Sequence, residues 1–239
     1  MSSLSGKVAV VTGGSRGIGL AVARLLGQRG AAVAITGTSA AGLETAAEAL
    51  KTDAVLVLPL RADVRDAVQM EAAMAQAASV LGGIDVVVNN AGVGVFKPVA
   101  DLSLDDWRLM FETNVTGVFN SSRAALPHLR ARGGGWVINV SSLSGTNPFP
   151  GGAAYCATKA AVNAFSEAFM QEVRHDGIRV AYVSPGSVDT SFGGGARDKS
   201  SWALQPDDVA HVIGDLLNHP GRSLPSRVEI RPSQPPRKG

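Results

Sequence analysis

The chain has 239 residues, 45% hydrophobic and 18% charged, enough apolar material for one sizeable α/β domain and too much for a disordered chain. No apolar run approaches the ~20 residues that span a bilayer, and the opening "MSSLSGKVAV" lacks a signal-peptide pattern. The formal charge of +2 owes three positives to the last nine residues, which argues against a basic nucleic-acid-binding face.

Short β-branched runs alternate with longer helical patterns. Strands are predicted at 8–13, 32–36, 54–60, 84–90, 136–142, 178–184 and 227–232. Helices are predicted at 17–29, 40–51, 66–81, 103–131, 156–175 and 207–218, with Ser103 and Asp106 as a capping box opening the fourth. The strand runs are almost continuously apolar, as a parallel sheet covered on both faces requires. The fold class expected is therefore α/β: one doubly wound Rossmann-type domain over 1–239, with about seven parallel strands. The Gly- and Ser-rich stretch 190–205 reads as a loop on the substrate side, and 231–239 as a solvated tail.

The first strand runs into "TGGSRGIG", residues 12–19, and then into a helix. Gly13, Gly17 and Gly19, with Ser15, Arg16 and Ile18 between them, suit a turn whose backbone approaches phosphate at a helix N-terminus. At the end of the second strand stand Gly37, Thr38 and Ser39, where an NAD site places an acid for the ribose 2′-hydroxyl. With no carboxylate there and Arg16 nearby, NADP(H) is the preferred cofactor and NAD(H) an alternative. The second arginine that often accompanies such sites is absent.

Tyr155 and Lys159 stand four residues apart among small side chains, on one face of a predicted helix. A phenol beside an ammonium has its anion favoured, which suits proton exchange with a substrate oxygen. Ser142, at the end of the fifth strand, can bond the same oxygen. "TGGSRGIG", "NNAG" at 89–92, Asn114, Ser142, "YCATK" at 155–159 and "SPGSVDT" at 184–190 follow one another as in short-chain dehydrogenases/reductases, which the chain resembles from Lys7 to about Pro232. The resemblance implies that Tyr155 is the general acid/base, Ser142 orients the carbonyl or alcohol, and Asn114 anchors a proton-relay water. It implies that Lys159 lowers the Tyr155 pKa and holds the nicotinamide ribose. Asn90, Ala91 and Gly92 would support the adenosine, Asp63 and Val64 the adenine, and Pro185, Gly186, Val188 and Thr190 the nicotinamide.

Cys156 excludes an internal disulfide, reads as a packing residue and suits a reducing compartment, so the expected location is cytoplasmic. His128, His175, His211 and His219 have no ligand spacing, so no metal is expected. Phe96, Phe149, Phe192 and Trp202 fall in loops that should border the site. The activity implied is hydride transfer between NADP(H) and a small-molecule carbonyl or secondary alcohol, with 3-oxoacyl-carrier-protein reductases and broad carbonyl reductases matched equally. Arg130, Arg132 and Arg174 could receive a carrier protein, though helix C-termini favour arginines anyway. A non-catalytic redox sensor is the alternative of another class. Val115, Val118, Phe119, Ala164, Phe165, Ala168 and Phe169 offer apolar surface for self-association, and the resemblance points to a homotetramer, or else a homodimer.

Overall fold

A computed structural model describes residues 3–194 and 202–235, so 195–201 of the expected substrate-side loop and 236–239 of the expected tail lie outside the described residues. All seven strands form: β1 Val8–Thr12, β2 Ala32–Gly37, β3 Val57–Arg61, β4 Val86–Asn89, β5 Gly135–Val140, β6 Ile178–Pro185 and β7 Arg227–Ile230. They make one parallel sheet in the order β3-β2-β1-β4-β5-β6-β7. The chain reverses its direction of travel across the sheet between β1 and β4. A crevice opens at the strands' C-terminal ends at such a point.

Alternation along each strand divides the core into two layers. On one face α1 (Gly17–Gln28), α2 (Ala40–Thr52) and α7 (Pro206–Leu216) bury Val22, Leu26, Leu43, Leu50 and Ile213 against Val11, Ile35, Val88 and Ile138. On the other, α3 (Ala67–Leu81) and two long helices described next bury Met70, Met74, Leu129, Phe169 and Val173 against Val10, Val87, Val137 and Val180. With both faces covered, the central strands are mostly apolar, with Thr12, Asn89 and Asn139 as buried polar exceptions.

The helix expected over 103–131 is not continuous. It divides into α4 (Leu104–Phe111), a π-helical turn over Glu112–Thr116, and α5 (Gly117–Ala131). The capping box at its start closes on one side only: Ser103 Oγ accepts the Asp106 amide at 3.0 Å, while the Asp106 carboxylate turns to Lys97 Nζ at 2.9 Å. The next helix, α6, runs over Ala153–Val173 and starts earlier than expected, so Tyr155 lies in its first turn. The third strand starts later than expected, after a turn in which Ala54 takes a φ of 60°. Of the residues expected at an assembly surface, Val118 and Phe169 are core, each 6% exposed, because they face the sheet; Phe119, Ala164 and Ala168 are exposed.

The N-terminal ends of the central strands β1 and β4 are pinned by a buried carboxylate. Asp85, just before β4, accepts the Val8 amide at 3.0 Å, Lys7 Nζ at 3.0 Å and Arg132 Nε at 3.2 Å. Burial pushes its pKa up, but the Val8 amide, Lys7 and Arg132 outweigh that and hold it below the ordinary value. Replacing it, Asp85→Asn, should cost about 2 kcal/mol in urea unfolding, less than a fully buried pair because Lys7 is half exposed. With a depressed folded pKa, the wild-type advantage is complete above the unfolded value near ~4 and fades as pH falls through the folded value. Stability profiles of the two proteins that run parallel through acid would contradict this role.

Candidate active site

The glycine loop between β1 and α1 is shaped by close approach. Gly13 and Gly17 have φ values of 63° and 55°, a region that glycine adopts without strain. A Cβ on Gly19 would stand 2.4 Å from the Gly13 carbonyl oxygen, and one on Gly13 would stand 2.9 Å from Ala91 Cα. The loop is braced from β4: Asn90 Nδ2 donates to the carbonyls of Thr12 and Gly13, and Thr12 Oγ1 accepts the amides of Asn90 and Ala91. Thr190, whose side chain lies 3.4 Å from where a Gly17 Cβ would be, brings the segment after β6 over the same loop. Val188 bridges to Leu204, and Gly186 donates to the Ile230 carbonyl, so this segment is anchored beyond Pro185.

The loop's chemistry fits a dinucleotide phosphate. Helices α2, α3 and α4 are capped by Ser39, Asp66 and Ser103, whereas α1 opens on Arg16 with no side-chain cap and no acid in its first turn. Its leading amides, around Arg16, Gly17 and Ile18, are thus available to an anion. Ser15 lies between this loop and Gly37, its Oγ 3.8 Å from the place of a Gly37 Cβ.

Three expected contacts are already engaged within the chain. Ser39 Oγ accepts the Gly42 amide at 3.1 Å as the cap of α2. The Asp63 carboxylate is gripped by Arg65 at 2.6–3.1 Å, and that guanidinium keeps its pKa below the ordinary value. Val64 is buried against Gly117, and its carbonyl accepts Asn120 Nδ2 at 2.9 Å. In the other direction, the structure brings one arginine that the sequence did not place here to the end of β2. Arg61, at the end of β3, donates Nε to the Thr38 carbonyl at 3.2 Å, because the β2–β3 register pairs it with Gly37.

The remaining side chains meet around one carboxamide. Asn114, 1% exposed in the π turn, accepts the Val93 amide at 2.8 Å and donates Nδ2 to the Val93 carbonyl at 2.9 Å and to Thr158 Oγ1 at 3.0 Å. Thr158 Oγ1 in turn donates to the Tyr155 carbonyl at 2.7 Å. Asn114 thereby clips the segment after β4 to the helix carrying Tyr155 and Lys159. Gly92 leaves room for this, a Cβ there standing 3.3 Å from Asn114 Oδ1 and 3.9 Å from Lys159 Nζ. Thr158 was missed in the sequence, although its place three residues after Tyr155 sets it on the same side of the helix.

Lys159 Nζ donates to the Val140 carbonyl at 2.8 Å and lies 5.8 Å from the centre of the Tyr155 ring. Burial brings the Lys159 pKa down to about 8. Burial also pushes the Tyr155 hydroxyl up to about 12, against the lowering effect of the adjacent Ser142 hydroxyl. The expected lowering of Tyr155 by Lys159 does not occur in this arrangement: desolvation dominates, and the ammonium is turned to Val140. Tyr155 is therefore a protonated phenol at neutral pH. Ser142 Oγ also accepts the Ser144 amide at 3.1 Å, which fixes its place beside Tyr155. Cys156 is buried, in keeping with a packing role.

Comparison with known proteins agrees with this geometry. A family model described as short chain dehydrogenase matches residues 7–201. An uncharacterized oxidoreductase of Staphylococcus aureus strain USA300 is 33% identical over 232 residues, covering 97% of this chain and all of the relative. Among solved structures, an alcohol dehydrogenase from the archaeon Thermococcus sibiricus, complexed with 5-hydroxy-NADP, superposes with a TM-score of 0.89 at 35% identity, covering 97% of this chain and 99% of that one. A metagenomic short-chain oxidoreductase in complex with NADP gives 0.86 at 34% identity, covering 98% of this chain and 100% of that one.

The depressed Lys159 pKa sets a measurable stability slope. Between about 8 and its unfolded value near 10.5, the folded state has released a proton that the unfolded state still holds. Wild-type stability should therefore rise relative to Lys159→Met by up to ~1.4 kcal/mol per pH unit across that window. Denaturant titrations at closely spaced pH values measure it, and a constant difference between the two proteins would show that Lys159 titrates normally.

Proposed function

The chain belongs to the short-chain dehydrogenase family of oxidoreductases, and from that membership we propose that it transfers hydride between NADP(H) and a small carbonyl or secondary alcohol. The observation that carries the reading is the hydroxyl of Tyr155, set beside Ser142 on a helix clipped to Asn114. When bound, the nicotinamide supplies or accepts the hydride at the carbonyl carbon. Tyr155 donates its proton to the carbonyl oxygen in reduction and recovers it in oxidation. Ser142 hydrogen-bonds that oxygen and holds it in line. Lys159 offers its ammonium to the nicotinamide ribose and Asn114 positions a water that returns the proton to Tyr155.

Cofactor selection follows from charge at the end of β2. Gly37, Thr38 and Ser39 present no carboxylate, Arg61 reaches Thr38, and Arg16 is an exposed cation next to Ser15, the loop residue that approaches Gly37. A 2′-phosphate meets two positive charges there and no repulsion, which supports NADP(H) over NAD(H).

The carrier-protein reading loses its landing surface. Arg130 is paired with Asp176 at 2.7 Å and Arg132 with Asp85 at 3.2 Å, and both close α5 at the sheet edge remote from Tyr155. Arg174 follows the end of α6, whose opposite end carries Tyr155. A free small carbonyl compound is the better supported substrate. A redox sensor without turnover has no use for the full set of Asn114, Ser142, Tyr155 and Lys159.

Two measurements test the reading. Tyr155→Phe removes only a hydroxyl from a packed ring, so the protein should fold and bind NADPH but lose at least about 100-fold in kcat. Near-normal turnover would contradict the assignment. Gly37→Asp fits sterically, since the nearest atom to a Cβ there is 3.6 Å away. Its carboxylate should move preference from NADPH toward NADH by about tenfold or more in kcat/KM, or ~1.4 kcal/mol. A wild type that already prefers NADH would contradict the roles of Arg16 and Arg61.

A further inference from the structure

Two phenylalanines meet the Tyr155 ring and a third packs on one of them, each from a separate loop. Phe96, after β4, meets it edge-on with ring centres 5.4 Å apart at 74°. Phe192, after β6, lies 5.7 Å from Tyr155 and 6.5 Å from Phe96. Phe149, after β5, lies 5.8 Å from Phe96. Trp202 shares no ring contact with them among the described residues.

Each ring rests on a glycine from these same loops. A Cβ on Gly94 would stand 2.7 Å from Phe192, one on Gly193 2.5 Å from Phe96, and one on Gly152 2.5 Å from Phe149. The ring positions thus depend on residues without side chains on three loops, which makes the cluster a built feature. Yet Phe96, Phe149 and Phe192 keep 42%, 41% and 39% of their surface open to water. The three partly exposed rings form an apolar face beside the Tyr155 ring. The charged neighbour in sequence, Lys97, is turned to Asp106 on α4.

We infer that the substrate is an aryl ketone whose flat ring packs among Phe96, Phe149 and Phe192 while its carbonyl oxygen meets Tyr155. This rests on the carbonyl-reductase reading above and adds the substrate class. Aromatic rings prefer the edge-to-face and offset contacts that these side chains offer, and a saturated ring cannot reproduce them. An adjacent carboxylate would be desolvated against the same rings with no partner from them.

The test compares acetophenone with cyclohexyl methyl ketone, which has the same carbon count and the same acetyl group. Conjugation makes acetophenone the intrinsically poorer hydride acceptor, so a preference for it reports recognition by the protein. With NADPH, kcat/KM for acetophenone should exceed that for the saturated ketone by about tenfold. Phe96→Leu and Phe192→Leu keep apolar bulk but remove the ring, and each should bring the ratio toward one. Phe149→Leu is the third variant, and circular dichroism confirms that each is folded. A wild type that turns over the saturated ketone as well or better overturns the inference, as does a ratio unchanged in all three folded variants. No turnover of either ketone or of any wider carbonyl panel, with NADPH or NADH, overturns the underlying carbonyl-reductase reading instead.

Discussion

The site depends on one carboxamide. Asn114 makes three hydrogen bonds in a place almost closed to solvent, two to the backbone of Val93 and one to Thr158. Its aim comes from the π turn at Glu112–Thr116, where an extra residue is accommodated between α4 and α5. Such turns leave main-chain groups outside the ordinary helical ladder and re-aim side chains, at a cost that the surrounding packing must offset. Here the offset comes from joining three elements: the segment after β4, the α4–α5 junction and α6. Without Asn114, the Val93 amide and the Thr158 hydroxyl would each lose a partner, and α6 would lose this link to the segment after β4.

Around that clip, desolvation sets the electrostatics. Tyr155 and Lys159 both sit where a charged form is disfavoured, and both pKa values move toward the neutral species. This keeps a proton on the phenol, and makes the ammonium responsive to whatever polar group approaches it. Deeper in the sheet, polar side chains form a chain of hydrogen bonds: Asn89 Nδ2 donates to Ser122 and Asn139, and Asn139 Nδ2 to Ser166, while the buried Asn89 Oδ1 has no partner among the described residues. These bonds tie β4 and β5 to α5 and α6 directly behind the site. Two clefts of about 350 and 310 Å³ open at the N-terminal strand ends, lined in part by Gly27 and Leu56 and by Arg132 and Trp136. They lie at the opposite edge from Tyr155.

The parallel sheet was legible because both of its faces are covered, which leaves the central strands nearly uninterrupted apolar runs. Helix α6 and its Tyr155–Lys159 pair were legible through a four-residue spacing, and the glycine loop through its position after β1. The π turn was not, because the apolar pattern continues smoothly through 103–131 and one added residue barely disturbs it. Arg61 was hidden for another reason: it reaches Thr38 only through the β2–β3 register, across 23 residues of chain. Capping by Ser39 and the grip of Arg65 on Asp63 are local, but their consequence, that these groups already have partners, emerges only with the folded geometry. The aromatic cluster needed three loops to be brought together, and no periodicity records that.

The mechanism requires that the Tyr155 hydroxyl meet the reacting oxygen. A crystal structure with NADP⁺ and a bound ketone measures this directly. Tyr155 Oη should lie about 2.6–3.2 Å from the ketone oxygen, with Ser142 Oγ also in reach. A ketone oxygen more than about 4 Å from Tyr155, held instead by another donor, would contradict the mechanism.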